Sequence, residues 1–246
     1  MKTSNTKVKS ILPVLSISES LDLKKQIVYE DNHLLVINKK SSQIVQGDIS
    51  GDAPLSDLLK AYIKQRDAKP GQVYMGVVHR LDRPVSGLVI FAKTDKALVR
   101  LNQMFKDRQI QKIYWAITRN QPPKEADTLV HWLRKNESQN KSYTYSSEQA
   151  NTLRAELSYR CIASSDKYYL LEVELHTGRH HQIRAQLSAI GCPIKGDLKY
   201  GDKRSNEDAS ISLHARKIKF IHPVKKEEMA LVAAVPEDVL WKVFER

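Results

Sequence analysis

Short runs of alternating or consecutive apolar residues, bounded by Gly, Pro, Asn and Asp, recur along the chain. Runs of this length that are rich in Val, Ile, Tyr and Thr are typical of β-strands. The first two, at residues 27–30 and 33–38, flank an Asp-Asn pair that predicts a tight hairpin turn. Further strands are expected at residues 110–118, 128–133, 153–161, 168–175, 212–221 and 229–234.

Four other stretches follow helical spacing and have suitable residues at their ends, such as Thr94 before one helix and Gly191 after another. We expect these helices at residues 53–65, 95–106, 181–190 and, after Pro236, 237–244. Strands outnumber helices, and most neighbouring strands can pair as hairpins. The pattern therefore predicts an α+β fold with a mixed, mostly antiparallel sheet flanked by helices and loops.

Two stretches carry neither pattern. Residues 1–25 are rich in Ser, Thr and Lys and are interpreted as a flexible N-terminal arm, which leaves residues 26–246 as a single domain. Residues 136–151 form a long polar run between two predicted strands, typical of a disordered loop or of a binding finger. Tyr143 and Tyr145 could stack on bases there, but a mobile hairpin loop is an equally good interpretation.

The charge of the chain narrows the class of partner. Its 246 residues include 40 Lys and Arg against 28 Asp and Glu, a formal net charge of +12. Polyanions are therefore expected, nucleic acid first and anionic membrane second. Residues 71–120 carry nine basic against three acidic residues, and residues 176–226 carry eleven against four. The excess thus falls in the two windows that contain the candidate catalytic residues, as expected if a phosphate backbone is drawn to a reacting centre.

Several classes of site are disfavoured by the sequence. Cys161 and Cys192 lack the spacing of a zinc site or a disulfide framework, and reduced thiols in the cytoplasm are expected. The HTGRHH segment at 176–181 lacks the glutamate of an HExxH site, so no metal is expected. No glycine-rich loop ends in Gly-Lys-Ser/Thr, and no apolar run is long enough for a signal peptide or a membrane span.

One acidic residue, Asp82, lies in a basic neighbourhood between two apolar runs. The runs predict a strand, turn, strand unit with Asp82 on the connection. Arg80 and Arg83 would favour the ionised carboxylate by Coulomb attraction, and Ser86 and the Gly87 amide could orient it. An oriented carboxylate can serve as a nucleophile. Taken alone, an ordinary turn aspartate with two solvated arginines would be the better interpretation.

Three ordered segments accompany this stretch. The stretch reads His79-Arg80-Leu81-Asp82-Arg83 followed by Ser86-Gly87-Leu88; the others are Gln111-Lys112-Ile113-Tyr114-Trp115-Ala116, His176-Thr177-Gly178-Arg179-His180-His181-Gln182-Ile183-Arg184 and Gly196-Asp197-Leu198-Lys199-Tyr200-Gly201. Together they resemble the signature of the RluA-type pseudouridine synthases, and the resemblance extends from about residue 27 to about residue 236. It implies the pseudouridine synthase catalytic fold, in the form without an N-terminal RNA-binding domain. It also implies isomerisation of uridine to pseudouridine in structured RNA, without a metal or cofactor.

The resemblance further implies roles for individual residues. Asp82 is the catalytic carboxylate, and Arg184 pairs with it. Tyr114 stacks on the target uracil and has a second candidate role in proton removal. Arg80 fills the gap that the extruded nucleotide leaves. Further RNA contacts are expected from Arg83, Lys112, Arg179 and His181.

The chain departs from the family pattern at four positions outside the catalytic set. The family usually has Pro, Thr, Thr and His where this chain has Lys40, Val85, His180 and Gln186. These changes concern the path of one loop and the hydrogen bonds around the pocket. We expect them to affect the choice of target more than the activity itself.

The expected substrate is a structured rRNA or tRNA with a uridine in a loop or a weak pair, because the nucleotide must leave its stack to expose the glycosidic bond. We expect a cytoplasmic monomer without DNA or membrane partners. The alternative is a non-catalytic RNA-binding or ribosome-assembly protein, against which the retained Asp82, Tyr114 and Arg184 weigh. A protein of anionic membranes would need an amphipathic helix with a wide apolar face, and the sequence shows none.

Overall fold

The computed structural model of the protein describes residues 12–48 and 50–245. The helices within these ranges are α1 (Ile17–Gln26), α2 (Leu55–Arg66), α3 (Asp95–Lys106), α4 (Gln182–Ala189) and α5 (Val239–Phe244), with a short 3-10 turn at Leu198–Tyr200. None of these helices has the length and apolarity that crossing a lipid bilayer requires.

The strands account for most of the remaining regular structure. They are β1 (Ile27–Glu30), β2 (Leu34–Lys39), β3 (Gly76–Val77), β4 (Ser86–Ala92), β5 (Gln111–Thr118), β6 (Ala126–Asn136), β7 (Lys141–Tyr145), β8 (Leu153–Ser164), β9 (Tyr169–Leu175), β10 (Leu213–Ile221) and β11 (Glu228–Val232).

These strands form one mixed sheet in the order β1-β2-β4-β10-β5-β9-β8-β6-β7. The short strand β3 pairs with β4, and β11 pairs with β10. Every pairing is antiparallel except that of β4 with β10. The predicted α+β fold with a mostly antiparallel sheet is confirmed.

Strand β4 lies at the centre of the packing, and all seven of its residues are buried. On one face of the sheet its side chains pack with those of α1, α2 and α4, and on the other with those of α3. Gly87 has φ +114°, and a Cβ at this position would lie 2.4 Å from the backbone nitrogen of Ala215 on β10. A glycine is therefore required where these two strands approach each other.

The segment interpreted as a flexible arm contains helix α1. Ser16 accepts a hydrogen bond from the Glu19 amide, and the Glu19 side chain accepts one from the Ser16 amide, a reciprocal cap that fixes the start of the helix. Leu15 and Leu23 are buried in the main core. Residues 17–25 are therefore a packed helix and not a flexible arm, while residues 1–11 lie outside the described ranges. The single domain over 26–246 remains a prediction.

The polar run at 136–151 is also more ordered than expected. Strand β7 forms an antiparallel hairpin with β6, so the irregular part after it shrinks to residues 146–152. The inward side chain of β7 is Ser142, whose amide donates to the Tyr200 hydroxyl and whose hydroxyl donates to the His180 carbonyl. Hydrogen bonds hold this strand to the domain, and for that reason apolar alternation is missing from its sequence.

Candidate active site

Asp82 lies on the loop between β3 and β4, as the sequence predicts. The Val85 amide donates to the Asp82 carbonyl at 3.0 Å, which closes a turn. Leu81 and Val85 on either side are buried and anchor this turn in the core. The carboxylate itself is 35% exposed, so it faces a cleft that solvent or a ligand can enter.

A buried lysine fixes the loop that carries Asp82. The ammonium of Lys39, the last residue of β2, donates to the carbonyls of Lys40, Arg83 and Val85 at 2.9, 3.2 and 2.7 Å. Its side chain is fully buried, and burial lowers the pKa of Lys39 to about 7, although the nearby charge of Asp82 acts in the opposite direction. The sequence does not indicate this role for Lys39, because a lysine at a strand end normally points to solvent.

Two donors approach the same oxygen of Asp82. The Nη1 atom of Arg184 and the Nε2 atom of His181 each lie 3.4 Å from its Oδ2 atom. Among the described residues no hydrogen bond reaches the other oxygen, Oδ1. The carboxylate is thereby oriented through one oxygen, and the second remains available to a substrate.

Arg184 is held mainly by another carboxylate. Its Nε and Nη2 atoms donate to Asp197 at 2.7 and 2.9 Å, and Asp197 is almost fully buried. The guanidinium also lies over the ring of Tyr200, 5.0 Å from the centroid. A planar bidentate pair of this kind fixes both the position and the tilt of the guanidinium. The expected pairing of Arg184 with Asp82 is present but longer, and the role of Asp197 was missed.

His181 joins the same cluster through both ring nitrogens. Its backbone is left-handed, with φ 52° and ψ 27°, an uncommon conformation that turns the side chain toward Asp82. Its Nδ1 atom lies 3.0 Å from the Tyr200 hydroxyl, and its ring stacks on that of His180 at 3.8 Å. Burial, followed by the charge of Arg184, lowers the pKa of His181 to about 2, so the ring is neutral.

A neutral imidazole carries one proton, and the neighbours of His181 place it. The Tyr200 hydroxyl already accepts the amide proton of Ser142 at 2.8 Å. Its own proton is therefore free to be donated to Nδ1 of His181, which leaves the imidazole proton on Nε2, facing Asp82. In this arrangement the Nε2 proton of the uncharged ring faces the Asp82 carboxylate at 3.4 Å, which is longer than a well-formed hydrogen bond.

Tyr114 projects from β5 into the main core cluster on the same face of the sheet as Ala116. It is 8% exposed, and burial together with the charge of Asp82 raises the pKa of its phenol well above the ordinary value. No hydrogen bond joins its hydroxyl to the described part of the protein. The opposite face of β5, with Trp115 and Ile117, packs against α5. Both faces of β5 are therefore covered.

The predicted electrostatic support of Asp82 differs from the observed one. Within residues 12–48 and 50–245, neither Arg80 nor Arg83 forms an ion pair with Asp82. Arg80 is exposed, and Arg83 instead pairs with Asp52 at 2.7 Å. Arg184 provides the cation at Asp82. Arg80 and Arg83 are close to Asp82 in the sequence but do not contact its carboxylate, because the turn points successive side chains in different directions.

The expected orientation of Asp82 by Ser86 and Gly87 is also wrong. The Ser86 hydroxyl lies 2.9 Å from Nδ1 of His214, on the buried strand β10. Gly87 serves the close approach of β4 to β10 described above. Both residues belong to the packing of the sheet and leave orientation of the carboxylate to α4.

The other predicted RNA contacts lie around this cluster. Lys112 is half-buried, 5.9 Å from the centroid of the Phe105 ring, and burial followed by the charge of Arg108 lowers its pKa. Arg179 donates through Nε to the Arg154 carbonyl at 3.0 Å, which leaves its terminal nitrogens for other partners. Both cations come from segments that carry catalytic candidates, β5 and the turn before α4.

A glutamine, Gln182, holds the turn before α4; it belongs to the HTGRHHQIR motif, but the sequence indicates no role for it. The side-chain oxygen of Gln182 accepts from the Thr177 hydroxyl at 2.8 Å and from the Arg179 amide at 2.9 Å. Its amide nitrogen donates to the Glu156 carbonyl at 3.0 Å. The turn thereby fixes the start of α4, and with it the positions of His181 and Arg184.

The arrangement combines a carboxylate with one unoccupied oxygen, a fixed cation and an aromatic ring. Such a carboxylate can attack an electron-poor carbon or stabilise positive charge on it. Among the described residues no three His, Cys, Asp or Glu side chains converge in a way that would hold a metal ion.

Comparison with known proteins gives consistent matches. The sequence profile of the family described as RNA pseudouridylate synthase matches residues 33–189. The chain is 32% identical over 238 residues to ribosomal large subunit pseudouridine synthase D of Zymomonas mobilis, covering 93% of this chain and 74% of that protein. It is 30% identical over 227 residues to ribosomal large subunit pseudouridine synthase C of Vibrio cholerae, covering 90% of this chain and 69% of that protein.

A solved structure shares the fold. Human RNA pseudouridylate synthase domain containing 4 superposes with a TM-score of 0.76 at 24% identity, over 92% of this chain and 94% of that one. The match extends beyond the segment recognised by the family profile.

Proposed function

The chain belongs to the RNA pseudouridylate synthase family, and from that premise we propose the RNA on which it acts and the residues that carry the reaction. The protein is an RNA pseudouridine synthase, an isomerase that converts uridine to pseudouridine in RNA. The alternative of a non-catalytic RNA-binding protein is not favoured. The observation that carries the proposal for the site is the Asp82 carboxylate, held through one oxygen by Arg184 and His181.

The proposed substrate is the RNA of the large ribosomal subunit. Both relatives named above are pseudouridine synthases of that subunit. The basic excess in residues 71–120 and 176–226 supports an extended polyanion as the ligand. We place the reaction in the cytoplasm. We also propose that the monomer is the working unit, because every residue of the proposed site comes from one chain.

The reaction breaks the N1–C1′ bond of uridine, turns the uracil and joins C5 to C1′. The proton lost from C5 is balanced by a proton gained at N1, so uridine and pseudouridine are isomers. No redox change and no external group are involved. In the proposed mechanism the free oxygen of Asp82 acts on the nucleotide, either by covalent attack or by stabilising an electron-poor sugar. The hydrogen bond from Arg184 to the other oxygen, with the neutral His181 ring beside it at 3.4 Å, holds the carboxylate in place for this step.

Tyr114 is proposed to hold the uracil by stacking while it turns. Its phenol has a raised pKa and is neutral near pH 7, so it is poorly suited to remove the C5 proton as a phenolate. This physical argument favours the stacking role over the proton-removal role that the resemblance also allowed. The ring, and not the hydroxyl, is then the functional part of Tyr114.

The target nucleotide must be flipped out of its stack to reach the cleft, which costs least in loops and bulges. We propose that the exposed Arg80 fills the gap, while Lys112 and Arg179 bind the phosphate backbone. Arg83 has the same proposed role, but RNA has to compete with Asp52 for it. These contacts would draw the backbone along the cleft beside Asp82.

The substrate proposal is tested by mapping pseudouridines in rRNA and tRNA from cells with and without this gene. A position in large-subunit rRNA that loses its pseudouridine, and regains it when the wild-type gene is restored, supports the proposal. Restoring Asp82→Asn should leave that position as uridine. Loss confined to tRNA would contradict the proposed substrate and name another one.

A further inference from the structure

Within residues 12–48 and 50–245, one face of the sheet is uncovered at its β7 end. Helix α4 covers only one side of this region, through the small cluster of Leu133, Ala155, Ala185 and Tyr200. On the opposite side the hairpin of β6 and β7 presents side chains of which none is buried. These are Val130, Trp132, Arg134, Tyr143 and Tyr145.

The strand register brings these side chains together. Trp132 is paired with Tyr145, and Arg134 with Tyr143, across the hairpin. Cross-strand partners point to the same face of a sheet, so three aromatic rings and a guanidinium share one surface. The Arg134 guanidinium lies 5.1 Å from the centroid of the Tyr145 ring, and Tyr143 is 40% exposed.

The surface is positively charged and concave. A groove of about 440 Å³ is lined by Arg134, Lys135, Asn136, Gln139, Tyr143 and Tyr145. Lys135 pairs with Glu137, but Arg134 and Lys141 form no ion pair within the described part of the chain. Lys141 lies 5.5 Å from the centroid of the Tyr143 ring. Accessible rings beside unpaired cations are the combination that binds single-stranded nucleic acid, because rings stack on bases and cations bind phosphates.

The same hairpin contacts the catalytic cluster through its other side. Ser142 donates to Tyr200 and His180, and the Asn140 side chain lies 3.1 Å from Nε2 of His180. Lys199 donates to the carbonyls of Gln139 and Asn140. The hairpin therefore connects the two surfaces: its inner side contacts Tyr200 and His180 next to His181, and its outer side carries the groove.

We propose that the outer face of the β6–β7 hairpin is a second RNA-binding surface, on which unpaired bases flanking the target stack against Tyr143 while Arg134 binds the backbone. The inference rests on the proposed function, because it takes the RNA substrate as the ligand. It adds a contact outside the cleft, on the opposite face of the sheet from Asp82 and Arg184.

The test uses the Asp82→Asn protein, which we expect to bind RNA without turning it over, and a transcript of large-subunit rRNA as the probe. Adding Tyr143→Ala should weaken binding about tenfold, the effect of losing one stacked base. Adding Tyr143→Phe, which keeps the ring and loses only the hydroxyl bond to Gln139, should leave affinity unchanged. Tyr74→Ala is the matched control, since Tyr74 is 41% exposed and lies outside the hairpin.

A second variant tests the cation. Arg134→Ala should reduce the slope of log affinity against log salt by about 0.7, the value for one phosphate contact to a single strand. Arg160→Ala, an exposed arginine of β8 that pairs with Glu172, should leave the slope unchanged. Both variants lie on the surface, so the fold is expected to tolerate them.

The proposal is overturned if Tyr143→Ala binds the transcript as tightly as Tyr74→Ala. It is also overturned if Tyr143→Phe loses as much affinity as Tyr143→Ala, since the hydroxyl bond would then matter and not the ring. The proposed function is judged separately by pseudouridine mapping. A tenfold loss of binding in Tyr143→Ala would support this surface even if the mapped substrate proved to be another RNA.

Discussion

Asp197 holds Arg184 through two hydrogen bonds of 2.7 and 2.9 Å, both buried, while Asp82 lies 3.4 Å from the same guanidinium. The carboxylate that we propose to be catalytic therefore contacts a cation whose position another carboxylate has already fixed. This relationship separates two roles that the sequence alone assigns to one ion pair. Asp197 positions the guanidinium of Arg184, and the Asp82 carboxylate remains free enough to contact a substrate.

Changing Asp197 should consequently impair turnover more than RNA binding. Asp197→Asn keeps the shape but weakens the bidentate pair, so Arg184 can shift relative to Asp82. Misplacement of this order can lower kcat about 100-fold, with KM little changed. Single-turnover kinetics on the rRNA target would measure it. A kcat equal to that of wild type would show that Asp197 does not position the site.

Tyr114 provides a test of ring against hydroxyl. Its phenol is neutral near pH 7 because burial and Asp82 raise its pKa, so stacking is its proposed role. Tyr114→Phe should then retain activity within about threefold, whereas Tyr114→Ala should lose at least about tenfold for want of a stacked ring. The measurement is the rate of pseudouridine formation for both variants. An equal loss of activity in the two variants would show that the Tyr114 hydroxyl takes part in the reaction.

Lys39 should be required for the stability of the catalytic loop. Lys39→Met leaves the carbonyls of Lys40 and Val85 without their donor, while the Arg83 carbonyl keeps the Ser42 amide. The expected cost is about 2–4 kcal/mol in the free energy of unfolding. The neighbouring Lys40→Met removes only an exposed pair with Asp22 and should cost less than about 1 kcal/mol. Denaturant unfolding compares them. Equal stability of the two variants would contradict the role of Lys39.

Stability should fall as the solution becomes acidic. Burial, followed by the charge of Arg216, lowers the pKa of His214 to about 4. The folded state keeps this ring neutral while the unfolded state binds a proton below about 6.5, so its contribution is complete above that pH and is lost between about 6.5 and 4. By pH 5 the stability lost in this way amounts to roughly 2 kcal/mol in the free energy of unfolding.

The variant His214→Gln isolates this contribution. It should be less stable at pH 7.5, because the bond with Ser86 changes, but its loss of stability between pH 7.5 and pH 5 should be roughly 2 kcal/mol smaller than in wild type. Denaturant unfolding at the two pH values gives both numbers. An unchanged difference between the two pH values would mean that His214 does not titrate in this way.

The fold could be predicted where a strand or helix is held by apolar burial. The seven buried residues of β4 and the cap of α3 at Thr94 are legible in the sequence. Strand β7 could not be predicted in this way, because Ser142 is held through hydrogen bonds to residues far along the chain. Helix α1 carries a legible signal, the Ser16 and Glu19 capping box, in a stretch whose composition suggested flexibility.

The site divides in the same way. Asp82, Tyr114 and Arg184 could be named from their motifs, and the structure brings Arg184 within 3.4 Å of Asp82. The partner of Arg184 could not be identified, because the choice between Asp82 and Asp197 depends on how α4 packs against the loop between β3 and β4. Lys39 was missed for a related reason, since its burial depends on a loop 44 residues further along the chain.

The central claim is that the carboxylate of Asp82 performs the chemistry and is not needed to hold the RNA. The most direct measurement is pseudouridine formation and affinity on one large-subunit rRNA transcript, with wild type, Asp82→Asn and the surface control Asp57→Asn. We predict that Asp82→Asn forms pseudouridine at less than about one-thousandth of the wild-type rate while its affinity stays within about threefold, and that Asp57→Asn matches wild type in both. Pseudouridine formed by Asp82→Asn at a rate near that of wild type would contradict the account.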